Sequence, residues 1–105
     1  MSKRLEMLEK LTSSGKADAF AWYALALEYR SANRIDDALR AFEALRVLEP
    51  NYVPGYQMAG SMLASIGRES EARAWLQEGI SRATAAGNDH ARAEMQDMLE
   101  MMGPA

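Results

Sequence analysis

The chain of 105 residues carries 12 Lys and Arg against 15 Asp and Glu, a net charge of −3, and no cysteine. Its bases are interleaved with acids rather than clustered for phosphate contact, which argues against a nucleic-acid partner. The missing cysteines exclude a disulfide framework, a thiolate metal site and a Cys nucleophile, and suit a reducing, cytoplasmic setting.

This length is enough for one domain with a modest core. The longest apolar stretch, residues 19–27, is about half of the ~20 residues that a bilayer span needs. No apolar run of signal-peptide length follows Lys3, Arg4 and Lys10, so a membrane association is not expected.

Helix formers dominate between the turn signals and β-branched residues are few, so the chain reads as all-α. In chain order the spacing predicts helices at 2–13, 19–32, 36–48, 53–66, 70–84 and 88–102. Ser13-Ser14-Gly15 ends the first, and Asp18 is placed to cap the second. Asn33 and Gly67 stand 34 residues apart, each where a residue tolerating positive φ turns the chain between paired helices. Asp36 and Asp37 are expected to cap the third helix and to place favourable charge at its start. Pro50 stops it, and Pro54 suits the first turn of the fourth. Gly87-Asn88 closes the fifth helix and caps the sixth. Short loops make neighbouring helices antiparallel.

One period runs through these elements. Trp22, Tyr56 and His90 stand at equal steps of 34 residues, as do Ala38 and Ala72, and Phe42 and Leu76. A 34-residue period marks a helix–turn–helix array, in which each unit buries its apolar face against its neighbours. Trp22, Leu25, Tyr29, Ala38, Phe42 and Pro50 fit the pattern W-x₂-L-G-x₂-Y…A-x₃-F…P, with Ala26 in place of the small Gly. The second unit is looser: Tyr56, Ala59, Gly60, Leu63, Ala72 and Leu76, with Thr84 where Pro would stand. Residues 19–86 therefore resemble the tetratricopeptide repeat family. The implied fold is a short right-handed α–α superhelix of about six antiparallel helices, with full repeats at 19–52 and 53–86.

The same step extends to both ends. Leu39, Phe42 and Leu45 map back onto Leu5, Leu8 and Leu11, while His90 and Ala93 continue the first-helix columns. Segments 1–15 and 88–102 thus read as half-repeat capping helices. Arg4, Glu94 and Asp97 occupy slots that are small or apolar elsewhere (Ala38 and Ala72, Ala26 and Gly60, Tyr29 and Leu63), giving the caps the polar outer faces that solenoid ends need.

Chemistry-bearing constellations are scarce. His90 is the only histidine, with no nucleophile and orienting group at a useful spacing, and reads as the aromatic slot of its half repeat. Asp36 and Asp37 are adjacent on a helix and point about 100° apart, so they do not form a catalytic carboxylate pair. Neither a metal-ligand cluster nor a Gly-rich phosphate loop is present, so no catalysis, metal or cofactor is expected.

Met95, Met98, Leu99 and Met102 share one face of the last helix. That face either closes the core of the second repeat or forms an adaptable sticky surface, with Met101 at its edge. The family resemblance implies a concave groove, lined by first helices, that holds an extended peptide or a helix. Its lining would be Phe20, Tyr23, Leu27, Arg30 and Arg34, then Gln57, Ser61, Ala64 and Arg68, then Ala91, Met95 and Met98. Either the N-terminal helix covers Phe20 and Tyr23, or these rings stand open to a partner. Tyr23, Leu27, Gln57 and Ser61 do not match the Lys and Asn set with which one variety of the family clamps a C-terminal carboxylate. The expected function is a non-catalytic protein-interaction module for a protein or peptide partner. The alternative is a homo-oligomer, in its simplest form a weak homodimer, built through the Met-rich last helix.

Overall fold

The computed structural model describes residues 2–104. Among them are six helices: α1 Lys3–Ser13, α2 Ala19–Ser31, α3 Ile35–Leu48, α4 Val53–Ser65, α5 Glu69–Ala85 and α6 Asp89–Met102. Each boundary lies within one residue of the position expected from the sequence, and no strand interrupts the described residues. The chain divides into two compact units, one ending at Glu49 and the other beginning at Pro50. In the first unit α2 packs on both α1 and α3; in the second α5 packs on α4 and α6, and α4 also touches α6.

The turns repeat with the sequence. Asn33 has φ 58° and Gly67 φ 80°, left-handed conformations that Asn and Gly tolerate best. After each, an arginine N–H closes the preceding helix: Arg34 donates to the Tyr29 carbonyl at 2.9 Å and Arg68 to that of Leu63 at 3.0 Å. This satisfies a carbonyl that the helix end would otherwise leave unpaired. Asp18 accepts the Ala21 N–H at 2.9 Å and Asn88 that of Ala91 at 3.1 Å, side-chain caps worth ~1 kcal/mol each.

The third helix starts differently from expectation. Its cap residue is Arg34, without a side-chain capping bond, and Asp36 and Asp37 lie inside the first turn. They complement the helix dipole there. Asp37 is further engaged by Arg34 and Arg40.

Small residues set the distance between paired helices. Ala26, Ala38, Ala59 and Ala72 are fully buried. A Cβ on Gly60 would lie 2.6 Å from Leu76 Cγ, and one on Gly79 would lie 2.6 Å from both Met95 Sδ and Tyr56 Cβ. Gly79 is therefore the point at which α5 admits both α4 and α6.

The first helix departs from the projected register. Leu5 is buried, Leu8 half-buried, and Leu11 is 41% exposed. Its less exposed stripe is 5, 8, 9 and 12, one i, i+3, i+4, i+7 face. Polar bonds to α2 hold this rotation: the Tyr29 hydroxyl donates to Glu9 Oε2 at 2.5 Å, and Arg4 pairs with Glu28 at 3.0 Å. Burial, then the Glu9 carboxylate, pushes the Tyr29 hydroxyl up to about 12.

Two tests follow from this packing. Gly79→Ala gains ~1 kcal/mol of helix propensity, but forces a methyl against the rigid Tyr56 Cβ, an overpacking cost of ~1–3 kcal/mol. The net loss is about 1 kcal/mol, read as a fall in Tm of about 4–8 °C for a domain of this size.

The second concerns pH. The folded state keeps the Tyr29 proton above its ordinary value, so its stabilisation is fully present below about pH 10 and lost as pH rises toward 12. Urea denaturation across that range gives a midpoint that falls more steeply for wild type than for Tyr29→Phe. Equal slopes would remove the Glu9–Tyr29 link as a stabilising contact.

Candidate functional site

The first-helix face of unit 1 is carried by α2. Phe20, Tyr23 and Leu27 lie on one side of this helix by spacing, and Phe20 is 63% exposed while the other two are half-buried. The first helix thus leaves Phe20 open. Arg30, one turn further on, is half-buried and in no salt bridge among the described residues.

Arg34 is drawn elsewhere. It pairs with Asp37 at 2.9 Å and lies over the Tyr29 ring, 4.7 Å from its centroid. Arg68 repeats the pairing, with two bonds of 2.9 Å to Glu71. These two cations are held at the start of α3 and α5 by acids three residues on, rather than standing solvated at helix ends.

In unit 2, Ser61, Ala64 and Ser65 of α4 face Met98, Met101 and Met102 of α6 across a shallow cleft of 310 Å³. Three of the groove residues expected from the sequence, Ser61, Ala64 and Met98, come together here. Gln57 is half-buried and outside this lining, and Ala91 is buried. Met95 is fully buried with its sulfur against Gly79. It therefore belongs to the core and presents nothing to a partner. The methionine face divides: Met95 closes the core, Met98 and Met102 line the cleft, and Met101 is 88% exposed at its rim. Arg73 fastens the end of α6 by donating to the carbonyls of Met102 and Gly103.

A second concavity, of 250 Å³, lies in unit 1 between α2 and α3, lined by Trp22, Leu25, Tyr29, Asp37, Arg40, Ala41 and Ala44. Trp22 and Tyr29, which fit the repeat pattern, are only half-buried and form its wall. Arg34, then Arg40, hold the Asp37 carboxyl below its ordinary value, against the opposing effect of burial. Sequence reading missed this cleft. The available signal was a mismatch in one column, Ala41 in the first repeat against Trp75 in the second.

His90 continues the 34-residue step but not its environment. Its side chain is 88% exposed and pairs with Glu94 one turn on at 3.0 Å. Glu94 and Asp97 are exposed, in keeping with water on that side of α6. Among the described residues no three His, Asp or Glu side chains converge as a metal site would need, and no helix is long and apolar enough to cross a membrane.

No family model matches the chain, and no curated protein does. Solved structures do. The solution structure of a tetratricopeptide repeat domain protein from Salinibacter ruber is 32% identical, with a TM-score of 0.72 over 77% of this chain and 82% of that one. A crystal structure of a tetratricopeptide repeat domain protein from the same organism gives 31% identity and a TM-score of 0.73, over 85% of this chain and all of that one. A Bordetella parapertussis protein solved in solution reaches a TM-score of 0.80 at 24% identity, over 96% and 88% of the two chains. That last likeness speaks to the fold alone. The helix pairs, their left-handed turns and their small-residue contacts recur at 34-residue steps, in an all-α repeat fold of the protein-interaction kind. With the Salinibacter structures beside them, they make this chain a member of the tetratricopeptide repeat family.

Proposed function

We propose that the protein is a non-catalytic interaction module that binds a peptide or helix through the exposed first-helix faces of its units. The observation that carries this reading is Phe20, a large aromatic side chain 63% in solvent on α2 beside Tyr23 and Leu27. A contiguous apolar patch marks a contact site where a lone exposed ring does not, and Phe20 continues into the half-buried Tyr23 and Leu27 on the same helix face. Aromatic anchors usually carry most of an interface's affinity. Arg30 stands on the same helix, in no salt bridge among the described residues, and supplies a cation for an acidic group of the partner.

In unit 2 the cleft formed by Ser61, Ala64, Met98 and Met102 offers a second apolar contact, and the flexible thioethers fit it to partners of varied shape. Arg34 and Arg68 play no direct part in this reading, since Asp37 and Glu71 already hold them.

Affinity capture from native extract tests the reading, comparing wild type with a Phe20→Ala/Tyr23→Ala variant. The captured partner is expected to bind the variant at least 30-fold more weakly, equivalent to ~2 kcal/mol. Far-UV circular dichroism of that variant should be unchanged. Undiminished binding would remove α2 as the contact face.

A second reading is favoured by Met101 alone, which at 88% exposed is the most open large apolar side chain of the described residues. In that reading α6 joins two copies of the chain in a weak symmetric dimer. Sedimentation showing only an 11.6 kDa species at every concentration would eliminate it.

A further inference from the structure

The two units solve one packing problem differently, and the difference exposes a site. In unit 2, Trp75 is 6% exposed and its ring packs on Tyr56, centroids 5.9 Å apart and tilted by 52°. One repeat earlier, 34 residues back in each case, Trp75 becomes Ala41 and Tyr56 becomes Trp22. Glu78, which the Tyr56 hydroxyl meets at 3.3 Å, becomes Ala44. Some bulk has moved to α2, where Leu25 and Tyr29 replace Ala59 and Leu63. The exchange is incomplete, and a cleft of 250 Å³ remains between Trp22, Tyr29, Ala41 and Ala44.

We infer that this cleft receives one aromatic side chain, best a tryptophan, from a partner polypeptide, seated on Trp22 as Trp75 is seated on Tyr56. Its size suits one side chain. At 250 Å³ it is smaller than the ~300–1,000 Å³ pockets that hold drug-sized ligands, and matches a single ring system.

Its wall chemistry agrees. Trp22, Leu25, Ala41 and Ala44 are apolar, and an aromatic ring gains ~0.5–1.5 kcal/mol from a well-oriented aromatic neighbour beyond its buried area. The polar groups at the rim are already engaged: Tyr29 by Glu9, and Asp37 by Arg34 and Arg40. The cleft therefore offers its occupant apolar and aromatic contact, with its rim carboxylate already paired. The site belongs to the α2–α3 side of unit 1 and shares no residue with the Phe20, Tyr23 and Leu27 face, so the two readings stand or fall separately.

The test titrates the blocked peptide acetyl-Gly-Trp-Gly-amide into the full chain, followed by NMR at the Ala41 and Ala44 methyls and the Trp22 indole N–H. Saturable shifts at these three positions are expected, with the Trp75 indole unmoved, and the Leu analogue of the peptide should bind at least tenfold more weakly. Ala41→Trp fills the cleft from within, as Trp75 fills its counterpart. It should raise Tm and weaken the peptide at least tenfold, while capture of a partner through Phe20 persists. Should that variant fail to fold, Ala44→Leu narrows the same cleft from the next turn and should weaken binding likewise. Absence of saturable shifts, an equal response to the Leu peptide, or undiminished binding to a folded filled variant would each overturn the assignment. So would shifts given by free indole and not by the peptide, since the occupant would then be a small molecule.

Discussion

Everything else in each unit depends on how closely its paired helices approach. Ala26 and Ala38 in unit 1, and Gly60 and Ala72 in unit 2, stand at the crossings with almost nothing exposed. Gly60 has no room for even one methyl beside Leu76. Interiors packed to crystal-like density convert such contacts into fixed geometry, because neither a void nor a larger side chain is tolerated cheaply. The left-handed turns at Asn33 and Gly67 then deliver the two helices to that distance. With spacing and turn fixed, the faces of α2, α4 and α6 turned away from each unit's core are free to vary in side chain.

The terminal helices, α1 in unit 1 and α6 in unit 2, are attached by different physics. Met95 inserts its side chain over Gly79 and is wholly buried, so α6 is held by shape. In α1 only Leu5 is buried, with Leu8 half-buried, and polar bonds supply much of the attachment: the hydroxyl of Tyr29 on Glu9, and Arg4 on Glu28. The exposed Arg4–Glu28 pair contributes little in water. The Tyr29 bond, charge-assisted and partly shielded, is the stronger of the two. This makes α1 the more easily opened element of its unit, since local opening tracks how little apolar surface a segment buries.

The features legible in the sequence were those set by local spacing. The helices, the turn residues Asn33 and Gly67, the caps at Asp18 and Asn88, and the small residues at the crossings all follow from one repeat. What was not legible depends on who the neighbour is. Projecting the repeat onto α1 put Leu11 in its buried set, but Glu9 and Tyr29 bond across two helices and fix a different rotation. Met95 and Met98 lie on the same helical face, and only the space left by Gly79 decides that one is core and the other lines a cleft. Arg34 and Arg68 look like free cations until Asp37 and Glu71, three residues on, are seen to hold them. The cleft beside Trp22 is invisible to any motif, because a motif records what repeats and the cleft arises where the repeat is broken.

That break has a consequence for recognition. Two copies of one helix pair, drifting apart in side-chain size while keeping their crossing residues, give surfaces of different character without any change of fold. Unit 1 places its bulk on α2, which leaves aromatic walls over the small Ala41 and Ala44 and an open Phe20 on another side of the same helix. Unit 2 places its bulk on α5, seals Tyr56 under Trp75, and leaves a cleft lined by methionine and serine. The whole net negative charge of the chain also falls after Pro50. In the binding modes proposed above, the first unit takes an aromatic side chain and the second a flexible apolar or basic segment. Crossing residues fix the scaffold and positions between them are free to differ, so a substitution such as Ala41 for the bulk seen at Trp75 reshapes the proposed cleft while the helices stay where they are.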